Sequence, residues 1–145
     1  MMMRTARKAA LIVGAMGLFV AASAHVWAIF AGPEAYAAMG APPNIVRTAK
    51  AGDGLAACVT TGIAFVISLW ALYGISGAGV IPRLPWLRLG LSGIAAVLLL
   101  RGLIVVPVLI SEPGRLQVFD YWSAGVCFGV GALYAVGVTG SLRVR

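Results

Sequence analysis

The sequence predicts an all-α membrane protein, a bundle of four transmembrane helices. Only 10% of its 145 residues are charged and 61% are hydrophobic, whereas roughly 25% of an ordinary soluble domain is charged. The apolar residues form four runs, each near the ~20 residues that a helix needs to cross the hydrocarbon of a bilayer. These runs cover residues 9–31, 55–75, 86–110 and 118–140. Because they occupy most of the chain, we expect residues 1–145 to form one integral membrane domain.

The basic residues predict how the helices are oriented. They lie beside the apolar runs and form no soluble basic face, so the +7 charge indicates a lipid bilayer and no nucleic-acid partner. Seven lie on the side of the two termini, namely Arg4, Arg7, Lys8, Arg83, Arg88, Arg143 and Arg145. Three lie on the other side, namely Arg47, Lys50 and Arg115. The positive-inside rule then predicts that both termini are cytoplasmic, in a bacterial inner membrane.

The N-terminus allows a second interpretation. A basic start, an apolar stretch and Ala22-Ser23-Ala24 together are typical of a cleavable secretory signal. Cleavage would leave three spans, with the mature chain starting at His25. Against cleavage, the segment that follows, HVWAIFA, extends the apolar run to a full membrane crossing.

The segment 32–53, between the first two runs, is longer than a simple turn requires. The start Gly32-Pro33-Glu34 predicts a short helix, since proline suits the first helical position and an acid suits the N-terminal dipole. That helix is expected to stop near Gly40, and Asn44 is expected to cap a second short helix over residues 45–51. We therefore predict an external cap on the bundle, with a floppy surface loop as the alternative. The predicted cap residues of the site are Glu34, Tyr36 and Arg47.

Each run carries a stripe of small residues at helical spacing, which lets helix backbones approach closely in lipid. Each stripe also contains one conspicuous polar residue. These residues are His25, Thr61, Arg101 and Asp120. With both termini on one side, all four fall in the outer half of the bundle or near its middle. We expect them to converge into a ligand-binding site.

Arg101 is the sharpest feature of the sequence, because apolar residues flank it on both sides. A charge that faces lipid is costly, so Arg101 needs a partner inside the bundle. Asp120 is the best candidate, with Glu34 and Glu112 as alternatives. The single histidine has no second histidine with which to hold a metal. No combination of nucleophile and base indicates an enzyme, so catalytic and metal residues are predicted to be absent.

The segments HVWA in the first run, LLLRGL in the third and FDYWSAG at the start of the fourth resemble small bacterial integral membrane proteins of unassigned activity. ALYGISGAGVIPRLPWLR is similar to their connection between the second and third spans. The resemblance implies a four-span domain and draws attention to His25, Arg101 and Asp120. It implies no substrate and no cofactor.

The leading functional hypothesis is a binding protein with a buried polar site that opens outward. A small anionic, quinone-like or lipid-like ligand would suit Arg101 at this site. A second hypothesis is an assembly subunit of a membrane complex, or a homo-oligomer, in which the same residues form a self-satisfied polar lock. A third is a small proton-coupled exporter, which fits the length and span number although no acid lies inside the first run.

Overall fold

The computed structural model describes residues 2–139, which fold entirely into helices and their connections. The bounds are α1 Met2–Ala31, α2 Pro33–Ala38, α3 Pro43–Lys50, α4 Leu55–Gly77, α5 Leu87–Leu103, α6 Val105–Ser111 and α7 Val118–Thr139, with a 3₁₀ turn at Pro113–Arg115. The predicted end of the fourth run at Gly140, and the basic residues Arg143 and Arg145, lie outside the described residues.

Within residues 2–139, four helical segments are long and apolar enough to cross a membrane, as predicted. They are α1, α4, the α5–α6 segment Leu87–Ser111 and α7. Their bounds differ from the predicted runs by a residue or two, except that α1 begins seven residues earlier than the predicted run at residue 9. Such segments indicate a multi-pass membrane protein.

The third span is broken, although the sequence predicts one run over residues 86–110. The break falls at Ile104, between α5 and α6. Proline has no N–H to bond the carbonyl four residues earlier and its ring clashes with that carbonyl, which for Pro107 belongs to Leu103. No residue of α6 is buried, so this outer piece of the span packs weakly on the rest.

The four spans pack as two tight pairs, α1 with α4 and α5 with α7. Close approach within the second pair depends on glycine, because a Cβ at Gly102 would lie 2.9 Å from the Ala124 carbonyl oxygen and one at Gly131 would lie 2.9 Å from the Leu99 nitrogen. The pairs join through α1 and α7, where Tyr134 is fully buried. Its hydroxyl donates to the Trp70 carbonyl at 2.9 Å, across the bundle.

The segment between α1 and α4 forms two short helices, as predicted, and we call residues 32–53 the cap. Gly32 precedes α2 with Pro33 in its first turn, and Gly40 adopts a positive φ of 69° just after its end. The prediction that Asn44 caps the second helix is wrong. The proline pair shifts the start of α3 upstream, so that Pro42 takes the N-cap position with no side-chain hydrogen bond and Asn44 lies inside the first turn.

Candidate functional site

A cavity of about 910 Å³ lies between the four spans at the end of the bundle that carries the cap. We call it the central cavity, that end the cap end, and the end where α1 begins the terminal end. Residues of α1, α4, α5 and α7 line its walls, and Met39 of the cap lines its mouth. Its volume is within the range of small-molecule sites in proteins, roughly 300–1,000 Å³.

The central cavity exists because α4 and α5 touch at the terminal end and separate toward the cap. At the terminal end, a Cβ on Gly77 would lie 2.9 Å from Leu91, and Gly90 packs directly against the ring of Tyr73. Toward the cap, a Cβ on Gly62 of α4 would meet no atom within 4 Å, although Gly62 lines the cavity. The bundle is therefore splayed, with its widest gap beside Gly62.

The lining of the central cavity is mostly apolar, with a few polar side chains contributed by α1, α5 and α7. Leucine, isoleucine, valine and phenylalanine side chains dominate, together with the indole rings of Trp70 and Trp122. The strongly polar side chains among the lining residues are His25, Arg101 and Ser123. A large apolar chamber with few convergent polar groups is the usual form of a ligand site.

His25 lies in the wall contributed by α1. Its Nδ1 is 2.8 Å from the carbonyl oxygen of Ala21, one turn earlier. A carbonyl oxygen only accepts, so Nδ1 must carry the proton that it donates there. In the neutral ring, Nε2 is then left as an acceptor for a donor group of a ligand.

Arg101 lies in the wall contributed by α5, and its predicted pairing with Asp120 is wrong. Its Nη2 donates to the Ser123 hydroxyl at a long 3.5 Å. Within residues 2–139, the one ion pair closer than 4 Å joins Arg115 and Glu112 at 3.1 Å. Arg101 therefore has no carboxylate partner there, although a guanidinium carries five N–H donors.

Asp120 does not pair with Arg101 because its side chain caps the start of α7. Its Oδ2 accepts a 2.8 Å hydrogen bond from the backbone N–H of Gln117, in the geometry of a capping box. Asp120 is not among the residues that line the central cavity. The side chain of Arg101 leans back toward the start of α5, which turns it away from the cap and toward Ser123, one turn deeper than Asp120.

Thr61 also lies apart from the predicted site. It is exposed on the outer face of α4 and donates to the Ala57 carbonyl at 2.8 Å within its own helix. The buried threonine of α4 is its neighbour Thr60, 6% exposed, on the same face as Ala56 and Ala64. Thr61 follows Thr60 by one residue, which turns its side chain by about 100° around the helix and away from the buried face.

The three predicted cap residues have different surroundings. Tyr36 is buried, 5% exposed, and anchors α2 on the bundle. Glu34 is exposed, and Arg47 is exposed in a separate groove of about 380 Å³ that also includes Lys50 and Gln117. The cap residue that reaches the central cavity is Met39, and the neighbouring Gly40 packs against Phe119 of α7.

Sequence reasoning missed Ser123, Trp122 and Gly62. Ser123 follows Asp120 by three residues and so lies on the same helical face, which was an available signal. The position of Trp122 in the sequence is typical of an aromatic residue at the membrane interface, yet it lines the cavity while 72% of its surface stays exposed. The role of Gly62 could not be predicted, because the sequence does not distinguish a glycine beside a cavity from a glycine at a close helix contact.

The central cavity is open along one side, between α4 and α7. Val59, Ile63 and Val66 on α4 and Val126 on α7 line it while between 41% and 51% exposed. Few contacts join α4 to α5 and fewer join α4 to α7. In a bilayer this side faces lipid chains, so the cavity combines a cationic side chain in its wall with an apolar lateral opening.

Comparison of the chain with protein-family models, with curated proteins and with solved structures gave no match. What is established is the class, a helical protein with four segments suited to crossing a membrane.

Proposed function

We propose that this protein binds a membrane-resident amphiphile whose anionic or carbonyl head group contacts Arg101 and whose apolar part occupies the central cavity. The observation that carries the proposal is a guanidinium without a carboxylate partner in the wall of a large apolar cavity. The predicted burial of Arg101 is wrong, because its side chain is exposed at the cavity wall; in a membrane, a charge that faces hydrocarbon is costly when unpaired. A ligand anion or carbonyl, held by the planar guanidinium fork, removes that cost.

The lateral opening supports a lipid-like or quinone-like ligand over a purely water-soluble one. The lining between α4 and α7 is aliphatic and aromatic, and it offers an acyl or isoprenoid chain a path to the bilayer. His25 Nε2 provides one acceptor in the α1 wall of the same cavity, which suits a ligand that also carries a hydroxyl. The proposed ligand is thus an anionic lipid or a quinone-like molecule.

The assembly-subunit hypothesis requires that the polar residues of the predicted site satisfy one another's hydrogen bonds and charges. Arg101 has one long hydrogen bond, Asp120 is engaged at the start of α7, and Thr61 faces outward. These three placements favour the binding proposal over the lock. An exporter would need a titratable acid within the transport path, and Asp120, the acid nearest the cavity, lies at the edge of α7.

We further propose that the bundle lies in a bacterial inner membrane with both termini cytoplasmic, so that the cap is external. Seven basic residues against three support this orientation by the positive-inside rule. Retention of the N-terminal segment is supported by packing, because Leu11, Ala15, Leu18 and Ala22 of α1 belong to the buried core. Cleavage before His25 would remove all four.

The test uses Gly62 as a place to fill the central cavity. Gly62→Leu adds an aliphatic side chain where a Cβ meets no atom within 4 Å, so folding is expected to be preserved. Gly129→Leu is the matched control, since Gly129 is equally open but does not line the cavity. Native mass spectrometry of protein in mild detergent is to record binding of decylubiquinone and of lysophosphatidic acid to both variants.

We expect Gly62→Leu to lose binding of at least one probe and Gly129→Leu to keep it. Arg101→Lys, which keeps the charge but loses the fork, is expected to weaken the same probe by about tenfold or more. Unchanged binding in Gly62→Leu, or equal losses in both glycine variants, would contradict the assignment of the central cavity. If the wild-type protein bound neither probe, the result would favour the assembly-subunit hypothesis.

A further inference from the structure

A second cavity, of about 640 Å³, lies at the terminal end of the bundle. Lys8 of α1, Arg83 of the connection between α4 and α5, and Arg88 of α5 line it, and we call it the basic pocket. Its floor is aliphatic, formed mainly by Leu11, Leu87 and Leu91. Three cations from three separate segments therefore surround one apolar floor.

No carboxylate of the described residues neutralises the charge of the basic pocket. All four acidic side chains of the sequence, Glu34, Asp53, Glu112 and Asp120, lie at the cap end. Lys8, Arg83 and Arg88 accordingly have no carboxylate within 4 Å among the described residues. The basic pocket therefore has a positive electrostatic potential at the edge of the membrane-spanning region.

Backbone groups add to this field. α5 begins in the wall of the pocket, and its N-cap residue Trp86 makes no side-chain capping bond. The N–H groups of Leu87, Arg88 and Leu89 precede the first intrahelical donor, Gly90, which bonds the Trp86 carbonyl at 2.8 Å. Free N–H groups at a helix start, together with the helix dipole, bind phosphate oxygens.

The connection that carries Arg83 is held in place before any ligand arrives. The Ser76 hydroxyl, 2% exposed, donates to the Pro82 carbonyl and accepts from the Leu84 N–H, both at 3.0 Å. The Tyr73 hydroxyl donates to the Pro85 carbonyl at 3.1 Å. A site whose backbone is already ordered loses less conformational entropy when it binds.

We infer that the basic pocket binds the phosphate head group of an anionic phospholipid, with the acyl chains on the aliphatic floor and in the adjoining bilayer. Basic pockets between transmembrane helices recognise such head groups. The apolar floor distinguishes this site from a general attraction to anionic surfaces and from a site for free phosphate. The inference does not depend on the central cavity or on its ligand.

The experiment titrates protein in neutral detergent with phosphatidylglycerol, phosphatidylcholine or inorganic phosphate, with bound lipid counted by native mass spectrometry. Lys8→Gln and the double variant Arg83→Gln with Arg88→Gln remove the charges of the pocket. Arg4→Gln is the matched control, because Arg4 lies one helical turn from Lys8, is exposed and does not line the pocket. Arg101→Gln separates this site from the central cavity.

Phosphatidylglycerol is expected to bind more tightly than phosphatidylcholine, and each basic side chain removed from the pocket to weaken it roughly fivefold. Arg4→Gln is expected to retain the binding event that Lys8→Gln weakens, whereas Arg101→Gln is expected to affect only lipid bound in the central cavity. The inference is overturned if Arg4→Gln loses as much as Lys8→Gln, which would show diffuse attraction, or if inorganic phosphate competes as well as the lipid. Melting temperatures without lipid check folding, and if the double variant does not fold, Lys8→Gln alone decides.

Discussion

Tyr134 offers the sharpest test of the packing, because its ring and its hydroxyl have separable roles. The side chain is fully buried, and a Cβ at Gly14 would lie 2.9 Å from its ring. Its hydroxyl donates a hydrogen bond to the Trp70 carbonyl and lies against the backbone of Gly74. Tyr134→Phe removes the hydroxyl and keeps the ring, so it should lower the free energy of unfolding by about 0.6 kcal/mol, the mean for interhelical bonds in a membrane. Tyr134→Ala also removes the ring and leaves a cavity, so it should lower the free energy of unfolding by about 3–5 kcal/mol.

The measurement is reversible unfolding in mixed micelles, followed by helical circular dichroism. Tyr121→Phe and Tyr121→Ala are the controls, since Tyr121 on the same helix is 44% exposed, and both should change stability by less than about 0.5 kcal/mol. If Tyr134→Phe cost as much as Tyr134→Ala, the hydrogen bond and not the packing would dominate. If Tyr134→Ala cost less than about 1 kcal/mol, the ring would not be part of the core.

Three further outcomes follow from the placements described above. Asp120→Ala should lower the free energy of unfolding by about 1 kcal/mol, because the hydrogen bond from Gln117 is lost. Ligand occupancy in native mass spectrometry should not change. Loss of the ligand with unchanged stability would show that Asp120 belongs to the binding site. Thr61→Leu should leave the melting temperature unchanged. Thr60→Leu should lower the free energy of unfolding by about 1–3 kcal/mol, because the larger side chain overpacks the buried face. Equal effects of the two variants would contradict the assigned faces of α4. Pro107→Ala should join α5 to α6 into one helix and slow amide exchange near the break, whereas unchanged exchange would assign the break to another cause.

Much of the fold could be predicted because it depends on local properties of the chain. A membrane span needs length and apolarity, so α4 and α7 begin where the runs were expected to begin. The cap helices follow from proline and glycine, whose backbone preferences act within one or two residues. The break at Ile104 was also encoded, in Pro107, but proline is tolerated in membrane helices often enough that its presence alone did not predict a break.

The candidate site was harder to predict because it depends on helix rotation and on competition between partners. Thr60 and Thr61 have nearly the same local sequence, and only packing against α1 decides which is buried. Asp120 was expected to pair with Arg101, yet its carboxylate accepts from the backbone N–H three residues earlier. His25 and Arg101 line the same cavity as expected, because a polar side chain in an apolar run has few other places to lie.

The layer around Tyr134 separates the two cavities of the bundle. Val130, one turn earlier on α7, lines the central cavity, and Gly137, one turn later, lines the basic pocket. Between them the ring belongs to the same buried cluster as Ala15, Ala71 and Leu98. In the described part of the chain, the two cavities therefore lie at opposite ends of the bundle with a buried layer between them. A ligand in one cavity is thus separated from a ligand in the other by packed side chains, so each site can be occupied while the other is empty.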